Sequence, residues 1–192
     1  MKIGVLALQG DFAEHVRILE KIGVMVVEVR LPHDLADIDG LIIPGGESTT
    51  IGKLAVRFGL MSPIRRLAET RPIWGTCAGA IFLAKDSRHS QPLLELMDIT
   101  VRRNAFGRQA ESFETDLDVP DVVTAENSQK VHAVFIRAPL IESVGPDVQV
   151  LARLSDGRIV AARQQNLLAT AFHPELTGDE RFHRYFLSMG LR

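Results

Sequence analysis

Among its 192 residues the sequence has one cysteine, Cys77. That scarcity excludes an internal disulfide framework and any zinc site assembled from several thiolates. Charge of one sign is lacking too. The 22 basic and 24 acidic residues leave a net charge of −2, so there is no broad basic footprint for nucleic acid, although a local patch stays open. No stretch approaches the ~18 apolar residues of a membrane span. The apolar run from Ile3 to Leu8 is shorter than a signal-peptide core and leads straight into Gln9-Gly10-Asp11. Repeats, low-complexity tracts and linker-length charge blocks are absent as well. These absences predict a cytoplasmic protein folded as a single domain over residues 1–192, and 46% apolar residues suffice for a core.

Lys2 to Leu8 reads as a buried strand, being a continuous run rich in Ile, Val and Leu. Asp11 can cap a helix that presents Phe12, Val16, Leu19 and Ile22 on one face and stops at Gly23. Strands follow at 24–29 and 40–43, the second ended by Pro44-Gly45-Gly46. Ser48 or Thr49 can cap a helix running towards Phe58, and Ser62-Pro63 opens another. A short strand at 72–75 then meets a helix at 78–84. This order argues for an open, mainly parallel α/β sheet. The second half predicts strands at 112–117, 131–137 and 167–172, a hairpin around Asp156-Gly157 and a terminal helix at 179–189. The expected fold is therefore α/β, a three-layer open mixed sheet, mainly parallel, with an antiparallel edge and flanking helices. Ligands of such sheets bind beyond the carboxyl ends of the strands, where the turns at 44–48, 75–79 and 173–175 should meet.

Gly75-Thr76-Cys77-Ala78-Gly79 has the glycine-x-nucleophile-x-glycine form of a nucleophile elbow, with sulfur in place of hydroxyl. So sharp a turn leaves no room for side chains two positions either side of the nucleophile. It sets the sulfur at a helix N-terminus, where backbone N–H groups and the macrodipole favour an anion. A buried core cysteine is the plainer alternative. Of six histidines, His15 and His183 fall in amphipathic helices, His33 and His89 in polar connections, and His132 in a strand that could pack it. His173 instead ends an apolar strand and precedes Pro174-Glu175. Residues two apart in extended chain share a side, so Glu175 could accept its second ring N–H. Cys77, His173 and Glu175 then follow nucleophile–base–orienter logic, against the alternative of a structural His–Glu pair.

Pro44-Gly45-Gly46-Glu47-Ser48-Thr49 ends a strand and opens a helix, so its N–H groups are candidates for an oxyanion hole. A phosphate loop fails twice there, since five residues separate Gly46 from Gly52 and Leu54 follows Lys53. The dinucleotide fingerprint is missing from Gln9-Gly10-Asp11. The basic run from Arg102 to Arg108 is either a solvated face or a carboxylate clamp. No metal-ligand spacing stands out.

Taken together, Leu8-Gln9-Gly10, the segment 44–50, the elbow 75–79, Arg103-Asn-x-Phe-Gly-Arg-Gln109, Phe135-Ile-Arg-Ala-Pro139 and Phe172-His-Pro-Glu-Leu-Thr177 resemble the class I glutamine amidotransferases. Within that superfamily they are similar to the glutaminase subunits of pyridoxal 5′-phosphate synthases, over essentially the whole chain. The resemblance implies a flavodoxin-like fold and a glutaminase needing neither metal nor cofactor. Cys77 would attack the glutamine amide, His173 oriented by Glu175 would protonate the departing ammonia, and water would hydrolyse the glutamyl thioester. Backbone N–H groups at Gly46 and Ala78 would hold the oxyanion. Gly46, Glu47, Ser48, Arg103, Ile136 and Arg137 would bind glutamine, and Gln9 would lie near the active site and the partner surface. The implied partner is a (β/α)8-barrel synthase subunit in a large ring complex. It would combine the ammonia with ribose 5-phosphate and glyceraldehyde 3-phosphate. The length leaves no residues for a synthetase domain, which fits a dedicated subunit. Two alternatives stay open: the glutaminase subunit of another synthase, such as the one making imidazole glycerol phosphate, and a non-catalytic redox or stress-response protein of the same fold.

Overall fold

The structure, a computed structural model, describes residues 1–103, 112–123 and 128–190. The first half runs β1 (Lys2–Leu6), α1 (Phe12–Lys21), β2 (Met25–Val29), β3 (Gly40–Ile43), α2 (Ser48–Arg57), α3 (Met61–Ala68), β4 (Ile73–Thr76) and α4 (Ala78–Leu83). There follow β5 (Ala84–Asp86), β6 (Met97–Arg102), β7 (Ser112–Leu117), β8 (Val131–Ile136), β9 (Leu140–Val144), β10 (Gln149–Arg153), β11 (Ile159–Gln164), β12 (Leu167–Thr170) and α5 (Arg181–Met189).

Ten strands form one sheet in the order β2-β1-β3-β4-β12-β11-β9-β6-β5, with β10 joined to β11. From β2 to β12 every pairing is parallel. Beyond β12 the pairings turn antiparallel until β5 rejoins parallel to β6. The Asp156-Gly157 hairpin forms as β10 and β11, with Gly157 at φ 87° as its turn requires. The mixed, mainly parallel sheet with an antiparallel flank is thus as expected. The strands β7 and β8 depart from the expectation of one sheet, because among the described residues they pair only with each other, in a separate two-stranded ribbon.

Side-chain alternation divides the core between the two faces of the main sheet. On β4, Ile73 joins the cluster that includes Ile43, Ile51 and Phe82, whereas Trp74 joins the cluster of Phe135, Phe172, Phe182 and Phe186. All of these except Ile51 and Phe182, each 1% exposed, are fully buried. The parallel centre makes β3, β4 and β12 direct neighbours with their carboxyl ends on one edge. That adjacency brings the three turns together.

Several local expectations shift. β1 and β12 end two residues earlier than the apolar runs suggest. Asp11 stands at the N-cap of α1 but makes no side-chain cap bond. The cap of α2 is Glu47, not Ser48 or Thr49. Its longer side chain reaches the Thr49 and Thr50 N–H groups, at 3.2 and 2.7 Å. Helix α3 starts at Met61, ahead of Ser62-Pro63. The strands β5, β6 and β9 are additional to the predicted set. Among the described residues no helix is long and apolar enough to cross a membrane.

Candidate active site

Cys77 sits between β4 and α4 with φ 47° and ψ −106°, the strained backbone of an elbow. Its own N–H donates to Thr170 O at 2.8 Å, which ties the turn to the end of β12. Both elbow glycines are sterically required. A Cβ on Gly75 would lie 2.4 Å from Gly79 O, and one on Gly79 would lie 2.0 Å from Ile43 O at the end of β3.

His173 follows β12 at 4% exposure, and its N–H donates to Val134 O of β8 at 2.9 Å. Its Nδ1 lies 2.6 Å from Glu175 Oε1, so Nδ1–H donates to that carboxylate and Nε2 is left for the sulfur. Glu175 is itself buried, its carboxylate out of contact with solvent. Burial opposes charge on His173, but the hydrogen bond with Cys77 and then that with Glu175 outweigh it and raise the imidazole pKa to about 10. Burial pushes the Glu175 carboxyl up, opposed chiefly by the bond from His173. The structure thus brings together the three side chains singled out from sequence. The Asp11 carboxylate joins them, 3.6 Å from His173 Nδ1. Asp11, His173 and Glu175 could each offer one ligand atom to a cation. The short Nδ1–Oε1 bond already occupies that nitrogen, so a metal would have to break it.

The second turn is built by backbone contact. Gly46 has φ 146°, and a Cβ there would lie 2.6 Å from Gln9 Oε1. That oxygen accepts the Glu47 N–H at 2.7 Å, so Gln9 anchors the loop. Gly10 permits the same approach, since its Cβ would fall 1.8 Å from Gly45 O. Gly45 makes room for the imidazole, with a Cβ there 2.5 Å from His173 Cε1.

Glu47, Ser48 and Arg103 form one polar network. Arg103 donates to Glu47 Oε1 at 2.8 Å and to Thr49 Oγ1 at 2.9 Å. Gln91 Oε1 accepts from Ser48, Thr49 and Arg103, at 3.2, 3.1 and 3.4 Å. Burial would raise the Glu47 carboxyl, but bonds from the Thr50 hydroxyl and the Thr50 and Thr49 N–H groups bring it down to about 2. Ile136 ends β8 and Arg137 follows it, both exposed, Arg137 at φ 43°. Their strand is tied to the site through the Val134–His173 bond. Residues 104–109 of the basic segment lie outside the described residues.

The model of the SNO glutamine amidotransferase family matches residues 5–191. This chain belongs to that family. A relative from Herpetosiphon aurantiacus, "Pyridoxal 5'-phosphate synthase subunit PdxT", is 62% identical over 98% of this chain and the whole of its own. One of the same name from Roseiflexus castenholzii is 59% identical over 98% and 100% of the two chains. A crystal structure described as a glutamine amidotransferase superposes with a TM-score of 0.91 at 49% identity, covering 99% of each chain. A structure from Thermotoga maritima, described as PurLQS, shares the fold, with a TM-score of 0.71 at 19% identity over 97% of each chain. The glutamine amidotransferase fold expected from the motifs is therefore the fold of the family.

Four features of this family member escape sequence reasoning: the clearance at Gly45, the Asp11 carboxylate, the Gln91 hub and the burial of His15 and His183. His15 shares a helical face with Phe12, Val16 and Leu19, and His183 stands three positions before Phe186 on α5, so their burial had a signal in spacing. Gln91 had none. His132, which could have been packed, is exposed and paired with Asp116 and Glu114 at 3.0 and 2.9 Å. Those two hydrogen bonds raise its pKa.

Proposed function

We propose that this chain is the glutaminase subunit of a pyridoxal 5′-phosphate synthase, hydrolysing L-glutamine to glutamate and ammonia through Cys77, His173 and Glu175. The observation that carries the reading is the elbow cysteine beside an imidazole whose far nitrogen is bonded to a buried carboxylate at 2.6 Å. The shared name of the relatives supports the choice of synthase.

The Cys77 thiol passes its proton to His173 Nε2 and the sulfur attacks the side-chain amide carbon of glutamine, forming the S–C bond and pushing charge onto the carbonyl oxygen. Backbone N–H groups at Gly46 and Ala78 receive that charge. The imidazolium passes its Nε2 proton to the amide nitrogen, the C–N bond breaks, and ammonia leaves a glutamyl thioester. His173, now neutral, takes a proton from water as the water attacks the thioester, then returns it to the sulfur as the S–C bond breaks, and glutamate departs with the thiol restored. Glu175 keeps the ring in the tautomer that presents Nε2 throughout. Glu47, Ser48, Arg103, Ile136 and Arg137 hold the amino-acid end of glutamine. For Arg103 this means that the substrate carboxylate competes with Glu47, its present partner. Ammonia passes to a (β/α)8-barrel synthase subunit in a large cytoplasmic complex, and Gln9 transmits docking to the loop at Gly46 through its bond to Glu47 N–H.

The test mixes this chain with such a barrel subunit, ribose 5-phosphate and glyceraldehyde 3-phosphate, and follows pyridoxal phosphate by absorbance. Glutamine should support product with wild type and not with Cys77→Ala, while ammonium salt should support it with either. Undiminished product from glutamine with Cys77→Ala would overturn the mechanism. Glutamate without the coenzyme would assign the ammonia to another synthase.

A further inference from the structure

Behind Glu175, two histidines take no part in the chemistry above. His15 of α1 and His183 of α5 are both fully buried. His15 Nδ1 lies 2.9 Å from His183 Nε2. His15 Nε2 lies 3.2 Å from Thr76 Oγ1 and 3.4 Å from Glu175 Oε2. Trp74 meets both rings edge to face, with centroids 5.6 and 5.0 Å away. Burial lowers the His183 pKa to about 3. Burial, then His183 and His173, hold His15 well below its ordinary value. Burial thus favours the neutral form of both rings.

A neutral imidazole carries one N–H, so the pair has two arrangements. In the first, His15 donates from Nδ1 to His183 Nε2. The His183 proton then sits on Nδ1, a buried atom with no partner among the described residues. The Nε2 lone pair of His15 could then accept from the Thr76 hydroxyl, but it would also face the Glu175 carboxylate oxygen. In the second, His183 donates from Nε2 to His15 Nδ1, and His15 carries its proton on Nε2, towards Thr76 and Glu175. Only a bare acceptor is then left at His183 Nδ1. Orphaned buried N–H groups are rarer than under-satisfied acceptors, and the second arrangement also removes the lone-pair conflict.

We infer that His15 is a positioning residue for glutamine hydrolysis: fixed as its Nε2–H tautomer by His183, it offers that proton to Oε2 of Glu175. This rests on the triad reading above. Among the described residues, Glu175 Oε2 is buried and lacks any formed hydrogen bond, and the charged or titratable groups facing Glu175 are His173, Asp11 and His15. At 3.4 Å the contact is long, as catalytic hydrogen bonds are before substrate tightens them. The N–H fixes the plane of the carboxylate, so that Oε1 stays on His173 Nδ1. A neutral donor suits this task because a charged one would compete with His173 for the same carboxylate.

Two measurements test this. Long-range proton–nitrogen NMR of the full chain with ¹⁵N-labelled histidine should find Nε2–H tautomers at His15 and His183. Steady-state glutamate release, measured in complex with the barrel synthase, should show His15→Leu lowering kcat by roughly tenfold or more with KM little changed. His15→Gln, which keeps an N–H, should recover part of that loss. An Nδ1–H ring at His15, or unchanged kcat in His15→Leu, would overturn the inference. Should His15→Leu fail to fold, the tautomer in wild type and the kcat of His15→Gln relative to His15→Ala decide it. A wild-type complex without Cys77-dependent glutamate release would instead overturn the triad reading, and the NMR result distinguishes the two failures.

Discussion

Gly45 and His173 occupy one space: a Cβ on Gly45 would lie 2.5 Å from the imidazole Cε1. The glycine turn and the imidazole are therefore mutually fitted, although 128 positions separate them in sequence (173 − 45). Gly45→Ala should displace the ring from Cys77. Misplacement by about 1 Å can cost on the order of a hundredfold in rate, while overpacking costs about 1–3 kcal/mol of stability. Glutamate release and a urea melt measured together check this. Wild-type turnover would mean that the ring has more freedom than the packing gives it.

The Glu47 carboxyl, held down at about 2, makes its stability contribution pH-dependent. A carboxyl with a depressed folded-state pKa stabilises fully above its unfolded value of about 4.5, and the contribution is lost as pH falls towards 2. The side chain is 43% exposed, so solvent screens much of the effect. Urea midpoints of wild type and Glu47→Gln should differ most above pH 5 and converge towards pH 2. Glu47→Ala also removes the α2 cap, which costs about 1 kcal/mol, and it leaves Arg103 with Thr49 and Gln91 as partners.

His183 works in the opposite chemical sense but with the same direction in pH. Its pKa is about 3 in the fold, so the unfolded chain binds the proton more tightly. Stability should be full above the unfolded histidine pKa of about 6.5 and decline below it, at about 1.4 kcal/mol per pH unit for each such ring. His183→Phe should flatten the fall in urea midpoint between pH 6.5 and 4, whatever its effect at neutral pH. An unchanged slope would mean that the ring is already charged in the native state.

The elbow, the Pro-Gly-Gly turn and His-Pro-Glu were legible because each needs particular residues at fixed spacing. Gly75 and Gly79 are demanded by backbone contacts that no side chain survives, and the structure shows both contacts. Parallel β1, β3, β4 and β12 were legible as apolar runs between glycine-rich turns, and their adjacency follows from the fold class. β5 was not, since its three residues follow α4 with no punctuating residue. β6 alternates buried and partly exposed residues from Met97 to Arg102, a signal obscured by the arginines that end it. The networks were illegible for a different reason. Gln91 meets Ser48 and Arg103 only through tertiary folding, and nothing local distinguishes it from a surface glutamine. The capping of α2 by Glu47 likewise depends on a side-chain reach that ordinary cap preferences do not encode.

The most direct test of the central claim is glutamate release from glutamine by this chain in complex with its synthase, comparing wild type with Cys77→Ala and His173→Asn. The account predicts no release with Cys77→Ala, and turnover lowered by orders of magnitude in His173→Asn with glutamine still bound, since triad members act as a unit. Release by Cys77→Ala at the wild-type rate would contradict it and remove the elbow sulfur from the reaction.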